Sequence, residues 1–151
     1  MRRELKFKNL EDVRSELNRL SQGPVETTAT WSYYQILTHC AAALENTMKG
    51  LQPEMSWLHK HLVGPAFFHK NASDGYLPTG IKGRPEIAPE KREEGDEKAA
   101  LARLLKAMDD LDKFEGKFSL HRRLGKLKPH QWVHFHAMHM ANHLGYAKLK
   151  D

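Results

Sequence analysis

Apolar residues recur at helical spacing in four long stretches of the chain. Leu10, Val13, Leu17 and Leu20 mark the first, with Asn9 placed to cap it and Gly23-Pro24 to stop it. The second follows Thr27, Thr28 and Thr30. Ser32 and Gln35 have the spacing of a capping box there, and the helix is expected to run to about Lys49, ended by Gly50 and Pro53. Leu101, Leu104, Leu105, Met108 and Leu111 line one face of a third, capped by Asp96 and stopped by Gly116. Pro129, at a first-turn position, opens the last, which reaches about Tyr146.

Between the second and third stretches the pattern changes. Trp57, Leu58, Leu62 and Val63 predict a minor helix, cut by Gly64-Pro65. From about His69 to Glu94 no periodicity survives, and Asp74-Gly75, Pro78, Gly80, Gly83, Arg84-Pro85 and Pro89 punctuate a long loop. A loop of that length in a compact domain is usually either functional or disordered. Strand signals are nearly absent and no internal repeat is present. The expectation is a single all-α domain over residues 1–151, an antiparallel four-helix bundle with a short extra helix and a long loop. Facing helices of such a bundle can build a metal site in the core.

Composition narrows the function classes. No run approaches the roughly 18 apolar residues of a membrane span, and Met1-Arg2-Arg3-Glu4-Leu5-Lys6 is charged where a signal peptide is apolar. One cysteine, Cys40, forms no internal disulfide and fits a reducing compartment, so a cytoplasmic protein without membrane contact is expected. The net charge of +5 comes from 24 basic and 19 acidic residues that are largely interleaved, which argues against a nucleic-acid footprint. Only Arg122-Arg123 with Lys126 and Lys128 cluster.

Ten histidines change the picture more than the charge does. At the helical pitch, Trp132, His136, His139 and His143 fall within an arc of about 60° on the last helix, while His130 and His134 point away. His139 and His143, one turn apart, can reach one ion. Met140 stands where a metalloprotease H-E-x-x-H helix has its glutamate, so that chemistry is excluded. A third ligand is expected from a facing helix. His39 is the candidate, sharing its face with Ser32, Gln35, Ala42, Ala43 and Asn46, small or polar residues that leave room for an ion.

Three imidazoles leave coordination positions open on zinc or nickel, where a water or thiol is activated. His136 shares the face but sits about a turn from the ion, which suits a supporting or substrate-contact role. Asn46 and Trp132 are further pocket candidates. Cys40 points about 100° away from His39 and reads as a packed core thiol. Trp31 and Tyr34 have the spacing of core aromatics. Neither a phosphate-binding loop nor a G-x-S-x-G elbow occurs. No catalytic residue is assigned.

Trp31-Ser32, His39 seven residues on, and His139-x-x-x-His143 in the final helix resemble the DinB/YfiT-like superfamily of metal-binding four-helix bundles. The stretch from Trp31 to Ala41, the Leu124-Gly125-Lys126-Leu127 turn, and Trp132 followed by His136, His139 and His143 are similar to one uncharacterised domain-of-unknown-function branch. The resemblance implies a site of His39, His139 and His143 holding zinc, nickel or another divalent ion, with His121 at a position often histidine in that branch. It also implies thiol-dependent chemistry, as in superfamily transferases and isomerases, and pairing into a homodimer. The resulting expectation is a metal-dependent transferase or hydrolase, in which the ion activates a low-molecular-weight thiol or water against a small electrophile. The competing expectation is a non-catalytic binding or structural bundle that meets an anion or nucleic acid through the basic cluster near Arg122.

Overall fold

The computed structural model describes residues 1–74, 77, 87 and 94–151. Helix α1 (Leu10–Leu20) is followed by strand β1 (Val25–Thr27) and helix α2 (Tyr33–Thr47). A π-helical turn (His59–Val63) then runs straight into α3 (Gly64–Asp74), and α4 (Glu97–Asp112), α5 (Pro129–Leu144) and strand β2 (Ala147–Leu149) complete the order.

Helix starts follow local chemistry. Asn9 Oδ1 accepts from the Asp12 amide at 2.9 Å and Asp96 Oδ1 from the Ala99 amide at 3.0 Å. Ser32 and Gln35 form a reciprocal capping box, with bonds of 3.1 and 3.0 Å between each side chain and the other's amide. Lys128 cannot cap α5 in that way, and Gln131 Oε1 reaches back to its amide at 2.8 Å.

The main core is built from α1, α2, α4 and α5. Val13, Leu17 and Leu20 meet Ile36, Leu37, Cys40 and Leu44, with Leu104, Met108, Ala137, Met140 and Leu144 closing the cluster. Each large aliphatic side chain here stabilises the fold by roughly 1.5–3 kcal/mol through burial. These helices pack in a closed circuit, α1 on α4, α4 on α2, α2 on α5 and α5 on α1. A second, smaller cluster joins Phe68 of α3 to Leu77, Leu124, Leu127, Trp132 and Met138.

Helix directions depart from the expected antiparallel arrangement. Helices α2 and α5 are antiparallel, because Thr47 meets His136 while His39 meets His139 and stands beside His143. Helices α2 and α4, by contrast, run the same way. Gly95 lies against the Tyr34 ring at their starts, Arg103 pairs with Glu45 further along, and Ser119, after α4, bonds to the Thr47 carbonyl at the end of α2. Parallel neighbours need a long crossover, and residues 48–96 provide it.

Two further expectations are corrected. Gly64-Pro65 does not cut the minor helix. Gly64 is helical, and its amide bonds to the His59 carbonyl across the π-turn, so the helix continues to Asp74. The glycine serves a close approach instead, since a Cβ at Gly64 would lie 2.4 Å from the Leu124 carbonyl carbon. The wide turn also leaves the Lys60 carbonyl to accept from the Lys126 amide at 3.0 Å. Residues 69–74 of the expected loop are therefore helical, and most of the remainder lies outside the described residues. The chain is also not purely α-helical, because β1 and β2 pair antiparallel, Val25 with Leu149 and Thr27 with Ala147. Among the described residues no helix is long and apolar enough to cross a membrane.

Candidate metal centre

The antiparallel α2–α5 pair brings His39, His139 and His143 together, with one ligand nitrogen from each ring within 4.8 Å of the others. His139 Nε2 lies 3.1 Å from His39 Nε2 and 3.1 Å from His143 Nε2. Two ring nitrogens at that separation can both stand 2.0–2.1 Å from one ion at an angle of about 100°, close to tetrahedral. His39 is buried, whereas His139 and His143 are partly exposed.

The protonation pattern suits a cation. His39 Nδ1 faces the Ile87 carbonyl, an obligate acceptor, so Nδ1 carries the proton and Nε2 presents a lone pair. A single proton on His139 Nε2 cannot properly serve both of its nitrogen neighbours, whereas a cation accepts all three lone pairs at once. Burial lowers the pKa of His39 despite the opposing Ile87 carbonyl. Burial and then the neighbouring His143 and His39 hold His139 well below the usual range, and burial with His39 pushes His143 down to about 3. All three are neutral at pH 7, the form that binds metal.

Aromatic rings wall the cluster. Trp31 stacks on His143 with centroids 5.2 Å apart and meets His39 edge-on at 5.0 Å. Phe135, one turn before His139, lies parallel to its ring at 5.9 Å. The amide of Asn142 donates to the Leu77 carbonyl at 3.1 Å beside His143. Reading the sequence missed the parts played by Trp31, Phe135 and Ile87. The i, i+4 spacing of Phe135 from His139 is an available signal, whereas the spacing of Trp31 is that of a core aromatic. A backbone carbonyl such as that of Ile87 leaves no trace in side-chain chemistry.

Of the other expected pocket residues, His136 and His121 both lie near enough to His139 to help hold its pKa down. Thr47 Oγ1 lies 3.1 Å from the Ala43 carbonyl and hydrogen-bonds to His136 Nε2 at 2.8 Å. His136 is thus a buried tie between α5 and α2, stacked on Trp132 at 5.5 Å. Trp132 itself belongs to the smaller core cluster. His121 Nδ1 accepts from the amides of Arg123 and Leu124 at 3.1 and 3.0 Å, shaping the turn, and its ring contacts Phe135 at 5.0 Å. Asn46 is buried, and no hydrogen bond joins it to the three imidazoles among the described residues. Cys40 is a fully packed thiol whose pKa burial pushes up to about 12. Of the carboxylates, Asp109 and Asp112 hold Arg14 across α1 and α4.

No curated protein and no solved structure matches the chain. A family described as "Protein of unknown function (DUF1569)" matches residues 1–149, nearly the full length. The chain therefore belongs to the DUF1569 family.

Proposed function

We propose that this chain is a single-domain, DinB/YfiT-like four-helix-bundle metalloprotein in which His39, His139 and His143 hold one divalent transition ion, zinc or nickel. The observation that carries the reading is the convergence of three imidazole nitrogens from two helices, with the tautomer of His39 fixed by a backbone carbonyl. A structural zinc site is normally closed by four protein ligands, and the described cluster offers three. All three are neutral, so a bound ion keeps its full charge and favours an anionic fourth ligand.

Such an ion lowers the pKa of a bound water or thiol and polarises an oxygen of a small electrophile. The chain's own side chains orient and shield. Ile87 and Trp31 fix the rings of His39 and His143, and Phe135 covers the His139 ring and keeps water from that side. The reaction class is transfer from a low-molecular-weight thiol, or hydrolysis, on a small-molecule substrate.

Elemental analysis of untagged protein, purified without nickel resin, tests the metal. About one equivalent of a transition metal is expected, lost in His139→Ala while helix content is retained. Folded protein that neither contains nor takes up zinc or nickel overturns the reading. Single-turnover assays with thiol or water as nucleophile then separate transfer from hydrolysis.

A further inference from the structure

The helix from Trp57 to Asp74 protrudes from the bundle. Only Gly64 and Phe68 of its π-turn and α3 segments are buried. Outward stand Trp57 (68% exposed), Leu58 (55%), Leu62 (53%), Val63 (39%) and Phe67 (44%). Neighbouring apolar side chains left in water in this way mark a place of contact.

Charge indicates the kind of contact. The helix rests on the turn from His121 to Lys128. His59 Nε2 donates to the Arg122 carbonyl at 2.9 Å, the Lys60 carbonyl accepts from the Lys126 amide, and Gly64 closes on the Leu124 backbone. Arg122, Arg123, Lys126 and Lys128 of that turn are exposed, as is Lys70 of the helix. Neither segment supplies a carboxylate, for no Asp or Glu occurs from Met55 to Ser73 or from Gly116 to Lys150. Elsewhere the signs interleave, as with Glu11, Asp12, Arg14, Glu16 and Arg19 of α1.

We propose that this helix and the basic turn beside it dock the protein on an anionic lipid surface. The helix lies in the plane of the interface, its apolar side chains entering the boundary between headgroups and acyl chains while the cations meet acidic headgroups. The combination of features selects this occupant. A polyanion with no apolar phase, such as nucleic acid, would leave the five apolar side chains in water. A second copy would set one carboxylate-free basic surface against another. The sequence predicted no membrane contact because no apolar run is long enough to span, but lying on a surface needs no such run. The proposal makes no use of the three imidazoles.

Flotation of the full chain at physiological salt, with phosphatidylcholine vesicles that contain or lack phosphatidylserine, tests it. Binding is expected only to the vesicles with phosphatidylserine, and should weaken as salt is raised. Trp57 should report its entry by a blue shift in emission and by quenching from brominated lipid, signals that Trp57→Phe removes. Leu62→Asp should weaken binding about 10-fold or more. Arg123→Gln with Lys126→Gln should do the same, since each cation at an anionic surface contributes roughly fivefold. All these positions are exposed, so circular dichroism should stay unchanged. A chain that leaves both kinds of vesicle unbound overturns the proposal, including one that dimerises through this helix or holds an oligonucleotide on the basic turn. Equal binding to both kinds overturns it too, as does binding that Leu62→Asp leaves unchanged, which is adsorption by charge alone.

Discussion

Trp31 lies parallel to His143, ring on ring at 5.2 Å and 6°, although one precedes α2 and the other ends α5. The indole excludes water from one face of the imidazole and fixes its rotation. Replacing Trp31 by alanine should therefore loosen His143 and weaken zinc binding about 10-fold or more, in the range found when supporting groups of ligands are removed. Competition against a chromophoric chelator reads this directly, with circular dichroism as the control for folding. Unchanged affinity would show that the stacking is incidental.

Acid should destabilise the metal-free protein from near-neutral pH downwards. His143 ionises near 6.5 in an unfolded chain but at about 3 in the folded one. Between those values the unfolded state binds the extra proton, so stability falls as pH drops below about 6.5 and goes on falling towards pH 3. His39 and His139 are shifted in the same direction and add to the slope. Thermal melts of the metal-free protein between about pH 8 and pH 5 should show it, and His143→Phe should flatten the curve. A melting temperature that stays level across that window contradicts the proposed burial of neutral imidazoles.

His136 should behave as packing and not as a ligand. Thr47→Val removes the hydrogen bond between the hydroxyl and His136 Nε2 in a buried setting. The expected cost is about 1–3 kcal/mol in chemical denaturation, with metal stoichiometry unchanged. Loss of metal in that variant would move His136 into the centre.

The role of Gly64 can be tested by addition. Alanine ordinarily favours a helix over glycine by up to about 1 kcal/mol. At this position its Cβ would meet the Leu124 and Gly125 backbone at 2.4 to 2.6 Å, which cannot yield as a side chain end would. Gly64→Ala should therefore destabilise, by about 1–3 kcal/mol. A neutral or stabilising result would mean that the two backbones are not in contact in solution.

Gly64 also shows where the chain was hard to read. Helices α1, α2, α4 and α5 were legible because Asn9, Ser32, Asp96 and Pro129 signal starts by local chemistry and the apolar period does the rest. Gly64-Pro65 carries the local signature of a stop, and only the approach of residues 124–125 from the far end of the chain explains why glycine stands there. Strands β1 and β2 have three residues each, too short for an alternating pattern, and their partners lie at opposite ends of the sequence. His39, His139 and His143 were legible as a set because helical spacing fixes two of them on one face. The bonds that hold His136 and His121 could not be anticipated, since an imidazole's hydrogen-bond partners are invisible in a linear spacing. The same-direction course of α2 and α4 escaped because periodicity says nothing about which way a helix runs.

The Ile87 carbonyl, which orients His39, belongs to the main chain. Any amino acid at position 87 would supply the same oxygen, so an alanine scan would pass over it without a signal. Drift at that position could likewise leave the centre untouched. What has to be preserved is the path of the chain past His39, a property of length and backbone course that substitution experiments do not sample.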